Sequence, residues 1–221
     1  GDPVLQHTSE KIATRLGSLK LLAEDVSHEK FDLLRECRGT YCAVVYEPEK
    51  KKLSLITDKI GVRPVYFWIQ PNFIVFASAL RILEALCCYQ REIDLKGISE
   101  ITCFGYPLSD RTPYKDIFSL YAGEVASFEA TKIERKKYWD WSALPLKKIE
   151  NTVFAKQLHE IFIESIKIRL KKQKSVAAFL SGGLDSRAIV AALRELHTNV
   201  ITANFAPQGS QDQVFGQLIA D

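Results

Sequence analysis

The sequence predicts an α/β protein built from two parts, and three observations carry this prediction. The chain has 221 residues, of which 47% are hydrophobic and 26% charged, a balance typical of a globular protein with a buried core. Short apolar runs separated by turns fill residues 37–130, a pattern typical of antiparallel strands. From residue 150 onward, strands alternate with helices, which indicates a doubly wound parallel sheet.

The first part starts with a helix and continues as strands and short helices. Apolar residues recur every three or four positions over residues 9–35 and predict one mostly helical segment. Ser78 is the expected cap of a helix reaching Leu86, and Asp94 of another reaching about Phe104. A stretch rich in Pro and Gly follows over residues 105–123. The predicted strands are Tyr41–Tyr46, Leu53–Thr57, Pro64–Ile69, Phe73–Ala77 and Glu124–Phe128.

The second part follows a join near Pro145, so we expect domains at residues 1–148 and 149–221. Thr152 is the expected cap of a long helix with one apolar face. The wholly apolar run Val176–Leu180 predicts a parallel strand buried on both faces, and Asn199–Phe205 predicts a second strand. Two strands make a poor open sheet and the chain contains no methionine, so we expect an excerpt that is cut at its C-terminus.

Charge and cysteine content exclude several classes of partner. The chain has 30 basic and 27 acidic residues, and neither half of the sequence has a large excess of basic over acidic residues. We therefore expect no nucleic-acid partner. The densest basic run, residues 167–174, is the expected solvated end of a helix. No apolar run reaches the roughly 18 residues of a membrane span, so we expect no membrane partner. Five cysteines without a C-x-x-C pair predict reduced thiols, a cytoplasmic location and no zinc site.

One segment points to chemistry, the run Leu180–Ser186 that follows the apolar strand and opens a helix. Its two glycines allow a tight turn and a close approach of the backbone to a ligand. The helix N-terminus offers free N–H groups to an anion, and two serines add hydroxyl donors. Asp185 would repel a phosphate unless a cation lies between them, so it implies either Mg²⁺ or a capping role.

Several blocks in one order resemble the asparagine synthetase (glutamine-hydrolysing) family over residues 37–221. The loop resembles the S-G-G-x-D-S pyrophosphate loop of N-type ATP pyrophosphatases. The upstream blocks resemble the glutaminase domain of that family; they are Arg38–Tyr46, Thr57–Tyr66, Phe76–Ser78, Gly105–Leu108, Thr112–Tyr114 and Tyr138–Trp139.

This resemblance implies a fold, a reaction and a set of ligands. The expected fold is an Ntn-hydrolase-like α+β antiparallel sandwich followed by an ATP pyrophosphatase domain. In the expected reaction, a carboxylate (aspartate) is activated as an acyl-adenylate and is then attacked by glutamine-derived ammonia. The expected cofactors are ATP and Mg²⁺, and the expected assembly is a homodimer. Asp185 is the expected metal ligand. Asp212 belongs to the block Gly209–Asp212, which resembles the family's segment after the second strand, and it could equally be a plain carboxylate at a helix N-terminus, favoured there by the helix dipole. The residues expected at ATP and pyrophosphate are Leu180, Ser181, Gly182, Gly183, Leu184, Asp185, Ser186 and Phe205.

The sequence departs from the family at the glutaminase nucleophile, which is an N-terminal cysteine there and is Gly1 here. Cys37 and Cys42 fall in core-like contexts, so the catalytic residues stay unknown. Either the nucleophile segment precedes this sequence, or the protein resembles members that lost the glutaminase, such as β-lactam-forming or peptide-cyclising ligases. A tRNA-modifying ATP pyrophosphatase and a non-catalytic binding module are less well supported alternatives.

Overall fold

A computed structural model describes residues 1, 3–5, 15–129, 132–145, 148–170 and 173–220. The chain divides into two compact units, Gly1–Pro145 and Leu146–Asp221. The strands of the described residues form separate antiparallel and parallel sheets, which confirms the predicted two-part α/β fold class. No helix among these residues has the length and apolar character needed to cross a membrane.

Two antiparallel sheets form the frame of the first unit. One contains, in spatial order, β1 (Cys42–Glu47), β2 (Lys52–Thr57), β6 (Glu124–Glu129) and β7 (Lys132–Lys137). The other contains β4 (Phe73–Ala77), β3 (Tyr66–Gln70) and β5 (Ile117–Ser119). The inward faces of these strands carry the core, with Leu55, Phe67 and Ala126 almost fully buried in one cluster. The α-helices described in this unit are α1 (Arg15–Ser27) and α2 (Asp32–Glu36) before β1, and α3 (Leu80–Glu84) and α4 (Leu95–Phe104) between β4 and β5.

The mostly helical segment expected over residues 9–35 is confirmed over residues 15–35, where it consists of two helices, α1 and α2; residues 9–14 lie outside the described residues. The chain leaves α1 and turns through left-handed backbone at Glu29 (φ 56°) and Phe31 (φ 61°) before α2 begins. The buried carboxylate of Asp25 accepts hydrogen bonds from the N–H groups of Leu33 (3.0 Å) and Leu34 (3.3 Å). An acceptor from the previous helix therefore satisfies the free donors of α2, which periodicity alone could not indicate.

Sequence patterning missed two strands, β5 and β7. The six residues of β7 include four basic side chains and one acidic one, which gives no apolar alternation to recognise. Several of the β7 side chains are held by ion pairs instead. Arg135 donates to Glu124 at 2.7 Å and to Asp110 at 2.5 Å, and its guanidinium lies 5.0 Å from the ring centroid of Tyr121. These contacts hold the strand against β6.

Helix caps show mixed agreement with prediction. Asp94 caps α4 as expected, since its carboxylate accepts from the N–H groups of Lys96 (2.9 Å) and Gly97 (3.2 Å). Ser78 does not cap α3, because that helix begins later, after Ala79, and has no side-chain cap. The predicted cap of the next long helix, α5 (Asn151–Leu170), is also wrong: the carboxylate of Glu150, rather than Thr152, accepts from the N–H groups of Thr152 and Val153.

A buried carboxylate organises the loop between β2 and β3. Asp58 is fully buried, and its Oδ2 accepts from the N–H groups of Tyr41 (3.1 Å) and Arg63 (3.3 Å). Its Oδ1 accepts from those of Ile60 (3.1 Å) and Val62 (3.3 Å). Four backbone donors from two segments thus converge on one side chain, which fixes the path of the Thr57–Tyr66 block.

The second unit is a parallel α/β arrangement of α5 (Asn151–Leu170), β8 (Ser175–Phe179), α6 (Leu184–Glu195), β9 (Asn199–Ala203) and α7 (Gln211–Ala220). Strands β8 and β9 pair in parallel, with Ser175 opposite Asn199. The expectation that β8 is buried on both faces is wrong for the described chain, because Phe179 at its end is 72% exposed. Of the basic run, Lys171 and Lys172 lie outside the described residues, and Arg169 lies in the last turn of α5.

Candidate functional site

The loop Leu180–Ser186 lies at the carboxyl end of β8 and leads into α6. Its first residue is anchored, since Leu180 is 2% exposed and its N–H donates to the carbonyl of Ala203 at 2.9 Å. The side chain of Asn204 donates from Nδ2 to the Leu180 carbonyl at 2.7 Å and to the Asp212 carbonyl at 3.1 Å. This asparagine ties the ends of both strands to α7. Sequence reasoning missed it, although a polar residue directly after an apolar strand was the available signal.

Two serine hydroxyls shape the loop from inside. The Oγ atoms of Ser181 and Ser186 lie 3.0 Å apart. Ser186 Oγ accepts from the Ser181 N–H at 3.1 Å, and Ser181 Oγ accepts from the Gly183 N–H at 3.2 Å. The loop is therefore closed by its own side chains, with the turn already formed.

The start of α6 leaves donors available. Gly183 precedes the helix with extended backbone (φ −71°, ψ 152°) and provides no side-chain cap. Within the described residues, the N–H groups of Leu184, Asp185 and Ser186 donate to no acceptor. The side chain of Asp185 is exposed in the same turn. A helix N-terminus with free N–H groups binds anions readily, so the geometry suits a phosphate.

Gly182 is the tightest point of the loop. A Cβ atom at this position would lie 2.7 Å from Oδ1 and 3.0 Å from Cα of Asp212 at the start of α7. At Gly183 a Cβ would meet only the Ser181 hydroxyl, at 3.3 Å. The first glycine thus allows close packing against α7, and the second leaves the helix start uncovered.

A cleft of about 360 Å³ lies beside the loop, lined by Leu180, Ser181, Asn204, Phe205 and Asp212 among others. The ring of Phe205 is 83% exposed, so it is not a core residue of the described chain. Its centroid lies 5.2 Å from that of Phe179, and the two rings form one wall of the cleft. The structure therefore brings Leu180, Ser181 and Phe205 to the same cleft, and the remaining predicted loop residues continue directly from it.

Two cysteines of the first unit, Cys37 and Cys42, are poorly placed for nucleophilic chemistry. Cys37 is 2% exposed, and burial raises the pKa of its thiol, which keeps it protonated at neutral pH. Cys42 lies partly buried on β1. The neighbouring phenol of Tyr138 donates to the Thr57 carbonyl at 2.7 Å, and burial raises its pKa to about 12. Cys37 and Tyr138 belong to one buried apolar cluster, so both side chains are structural parts of the core.

Fold and site together define a two-part protein, in which an antiparallel two-sheet unit precedes a parallel unit with a glycine-rich loop between a strand and a helix. The family comparisons agree with this description. A model of the glutamine amidotransferase domain matches residues 22–139, and a model of asparagine synthase matches residues 157–221. Because the first match covers more than half of the chain, this chain belongs to the glutamine amidotransferase family, in its asparagine synthetase-like branch.

Curated relatives extend well beyond the region they share with this chain. A putative asparagine synthetase [glutamine-hydrolyzing] 2 of Methanocaldococcus jannaschii is 29% identical over 75% of this chain and 33% of its own length. Asparagine synthetase [glutamine-hydrolyzing] 3 of Bacillus subtilis is 26% identical over 72% of this chain and 26% of its own length. Amidase chyE of Penicillium rubens is 22% identical over 76% of this chain and 25% of its length. The chain thus spans a quarter to a third of these relatives.

Proposed function

We propose that the protein carrying this chain is an ATP-dependent amide-forming ligase of the asparagine synthetase type. The observation that carries the proposal is the preformed loop Leu180–Ser186, with three free N–H groups at the start of α6 beside a cleft. Such a loop holds the β- and γ-phosphates of ATP. Similarity to proteins named asparagine synthetase supports the same assignment.

The proposed reaction begins with carboxylate activation. A carboxylate oxygen attacks the α-phosphorus of ATP, the bond to the β-phosphate oxygen breaks, and pyrophosphate leaves as the acyl-adenylate forms. Negative charge grows on the leaving pyrophosphate. Donors that are already fixed in place stabilise this charge more in the transition state than in the ground state. The N–H groups of Leu184, Asp185 and Ser186 are the donors proposed for this role.

Mg²⁺ is the proposed partner of Asp185. Magnesium is commonly bound by one or two carboxylates together with substrate phosphates and water, rather than by a cage made only of protein ligands. No group of three or more His, Cys, Asp or Glu side chains among the described residues could hold a metal ion. The exposed Asp185 carboxylate, in the same turn as the phosphate donors, fits a metal held jointly with phosphate.

The remaining substrates are proposed at a coarser level. Phe205 offers an exposed aromatic face, which suits adenine stacking at the cleft wall. Aspartate is the proposed carboxylate, and glutamine-derived ammonia the proposed amine. The second candidate is a ligase that uses an amine within its substrate in place of ammonia. Homodimer formation and a cytoplasmic location stay predictions.

The test measures pyrophosphate release from ATP by the full-length protein with aspartate as the carboxylate. Asp185→Ala is expected to lower the rate by about 10²–10³, the usual effect of losing one fixed transition-state contact. The matched control is Glu195→Gln, an exposed carboxylate at the other end of the same helix, which is expected to keep the rate. Near-normal rates for Asp185→Ala at saturating ATP and Mg²⁺ would show that Asp185 is only a helix residue.

A further inference from the structure

Two adjacent thiols occupy a surface turn of the first unit. Cys87 and Cys88 follow α3, and both are free and exposed. The N–H of Tyr89 donates to the carbonyl of Leu86 at 3.1 Å, so the two cysteines fill the central positions of a hydrogen-bonded turn. Neither thiol belongs to the proposed ligase chemistry.

Buried residues on both sides fix this turn. Tyr89 is 8% exposed, its ring centroid lies 5.1 Å from that of Trp68, and its hydroxyl donates to the Lys115 carbonyl at 2.8 Å. Leu86 packs against the same apolar cluster. The backbone that carries the two thiols is therefore anchored, while both thiol side chains are exposed.

The geometry disfavours a disulfide between these neighbours. Consecutive Cα atoms lie about 3.8 Å apart across a trans peptide, which is shorter than the roughly 4.4–6.8 Å that unstrained disulfides span. A single larger atom between the two sulfurs relaxes this restriction, because two longer bonds replace one S–S bond. The pair is thus better suited to bridging a thiophilic ion than to direct oxidation.

The number of ligands restricts which ion fits. Structural zinc takes four protein ligands, and no group of three or more His, Cys, Asp or Glu side chains in the described part of the chain could hold a metal. Cys103 lies on a different element, α4. Soft thiolate ligands select soft ions, and trivalent arsenic is stably bridged by two thiols.

We propose that Cys87 and Cys88 form a two-thiol site for trivalent arsenicals. In the binding step an arsenical with two hydroxyl groups loses both: two As–O bonds break and two As–S bonds form. Each thiol proton leaves with a hydroxide as water, arsenic stays trivalent, and no electron is transferred. The second bond is intramolecular, so the pair holds the ligand about 10²–10⁴-fold more tightly than one thiol does.

The test adds one equivalent of phenylarsine oxide to the reduced full chain and counts adducts by intact mass spectrometry during glutathione titration. Glutathione should remove the arsenical from Cys87→Ser and from Cys88→Ser. Removing it from the wild type is expected to need a glutathione concentration about 100-fold higher. A dithiol, 2,3-dimercaptopropanol, should remove it. Cys103→Ser, the matched control for an exposed single cysteine, is expected to behave as the wild type.

Three results would overturn the proposal. The first is that the wild-type chain takes up no arsenical. The second is that the adduct of Cys87→Ser resists glutathione as well as the wild-type adduct does. The third is that Cys103→Ser loses the adduct. Circular dichroism of each variant, expected to match the wild type because all three side chains are exposed, separates loss of the site from loss of the fold.

Discussion

Replacing Asp58 by Asn tests the claim that one buried carboxylate fixes the β2–β3 loop. Four N–H groups converge on its two oxygens, two on each. An amide keeps one acceptor oxygen and places an NH₂ group against the other two donors. Leaving a buried donor unsatisfied costs about 1–3 kcal/mol. Removing a buried charge returns some desolvation energy, and the part-buried N–H groups of Ile60, Val62 and Arg63 can recover water. We therefore expect a net loss of roughly 1–3 kcal/mol.

Urea unfolding followed by tryptophan fluorescence measures this loss in the right unit, because Trp68, Trp139 and Trp141 are the three tryptophans of the chain and all lie in the first unit. The matched control is Glu49→Gln, an exposed carboxylate in the β1–β2 turn, expected to change stability by less than about 0.5 kcal/mol. A change below about 0.5 kcal/mol for Asp58→Asn would refute the role given to this side chain.

Three further predictions concern pH, the loop and the cysteines. Hydrogen bonds from Lys136 and Lys52 lower the pKa of Glu29 to about 2, so its stabilising effect is present above pH 4.5 and is lost as pH falls from 4.5 toward 2. Since the Glu29 side chain is 40% exposed, we expect only about 1 kcal/mol, and Glu29→Gln should remove this pH dependence in acid unfolding curves. Gly182→Ala should weaken pyrophosphate binding about tenfold in calorimetry. The new Cβ would lie 3.0 Å from the Asp212 Cα, and such overpacking costs about 1–3 kcal/mol because the loop must shift. Unchanged affinity would show that the loop tolerates this shift. Neither Cys37 nor Cys42 should act as a glutaminase nucleophile in the 221-residue chain, since Cys37 is buried with a raised pKa; ammonia release from glutamine that Cys37→Ser or Cys42→Ser abolishes would contradict this.

The parts of the fold that follow local rules could be predicted from the sequence. Asp94 caps α4 because an aspartate before an apolar period satisfies the first free donors, and Phe73–Ala77 is a strand because aromatic and branched residues flank a polar turn. The position of the glycine-rich loop was also predicted, because its residue types and its place between a strand and a helix both depend on residues that are neighbours in the sequence.

The features that depend on distant residues were missed. Strand β7 is held by the pairing of Arg135 with Glu124 and Asp110, which no local window contains. The break between α1 and α2 depends on Asp25, whose carboxylate receives donors eight and nine residues away. At the site, Asn204 was missed for the same reason, because its partners Leu180 and Asp212 come from two other elements.

The central claim is that the loop Leu180–Ser186 binds the pyrophosphate part of ATP. Calorimetric titration of the full chain with ATP and with AMP, both in Mg²⁺, tests it most directly, because the two ligands share adenine, ribose and one phosphate. Each charge-assisted hydrogen bond contributes about 1.5–3 kcal/mol, so we predict that ATP binds at least about tenfold more tightly than AMP. Equal affinity for the two nucleotides, or no binding of ATP, would contradict the account.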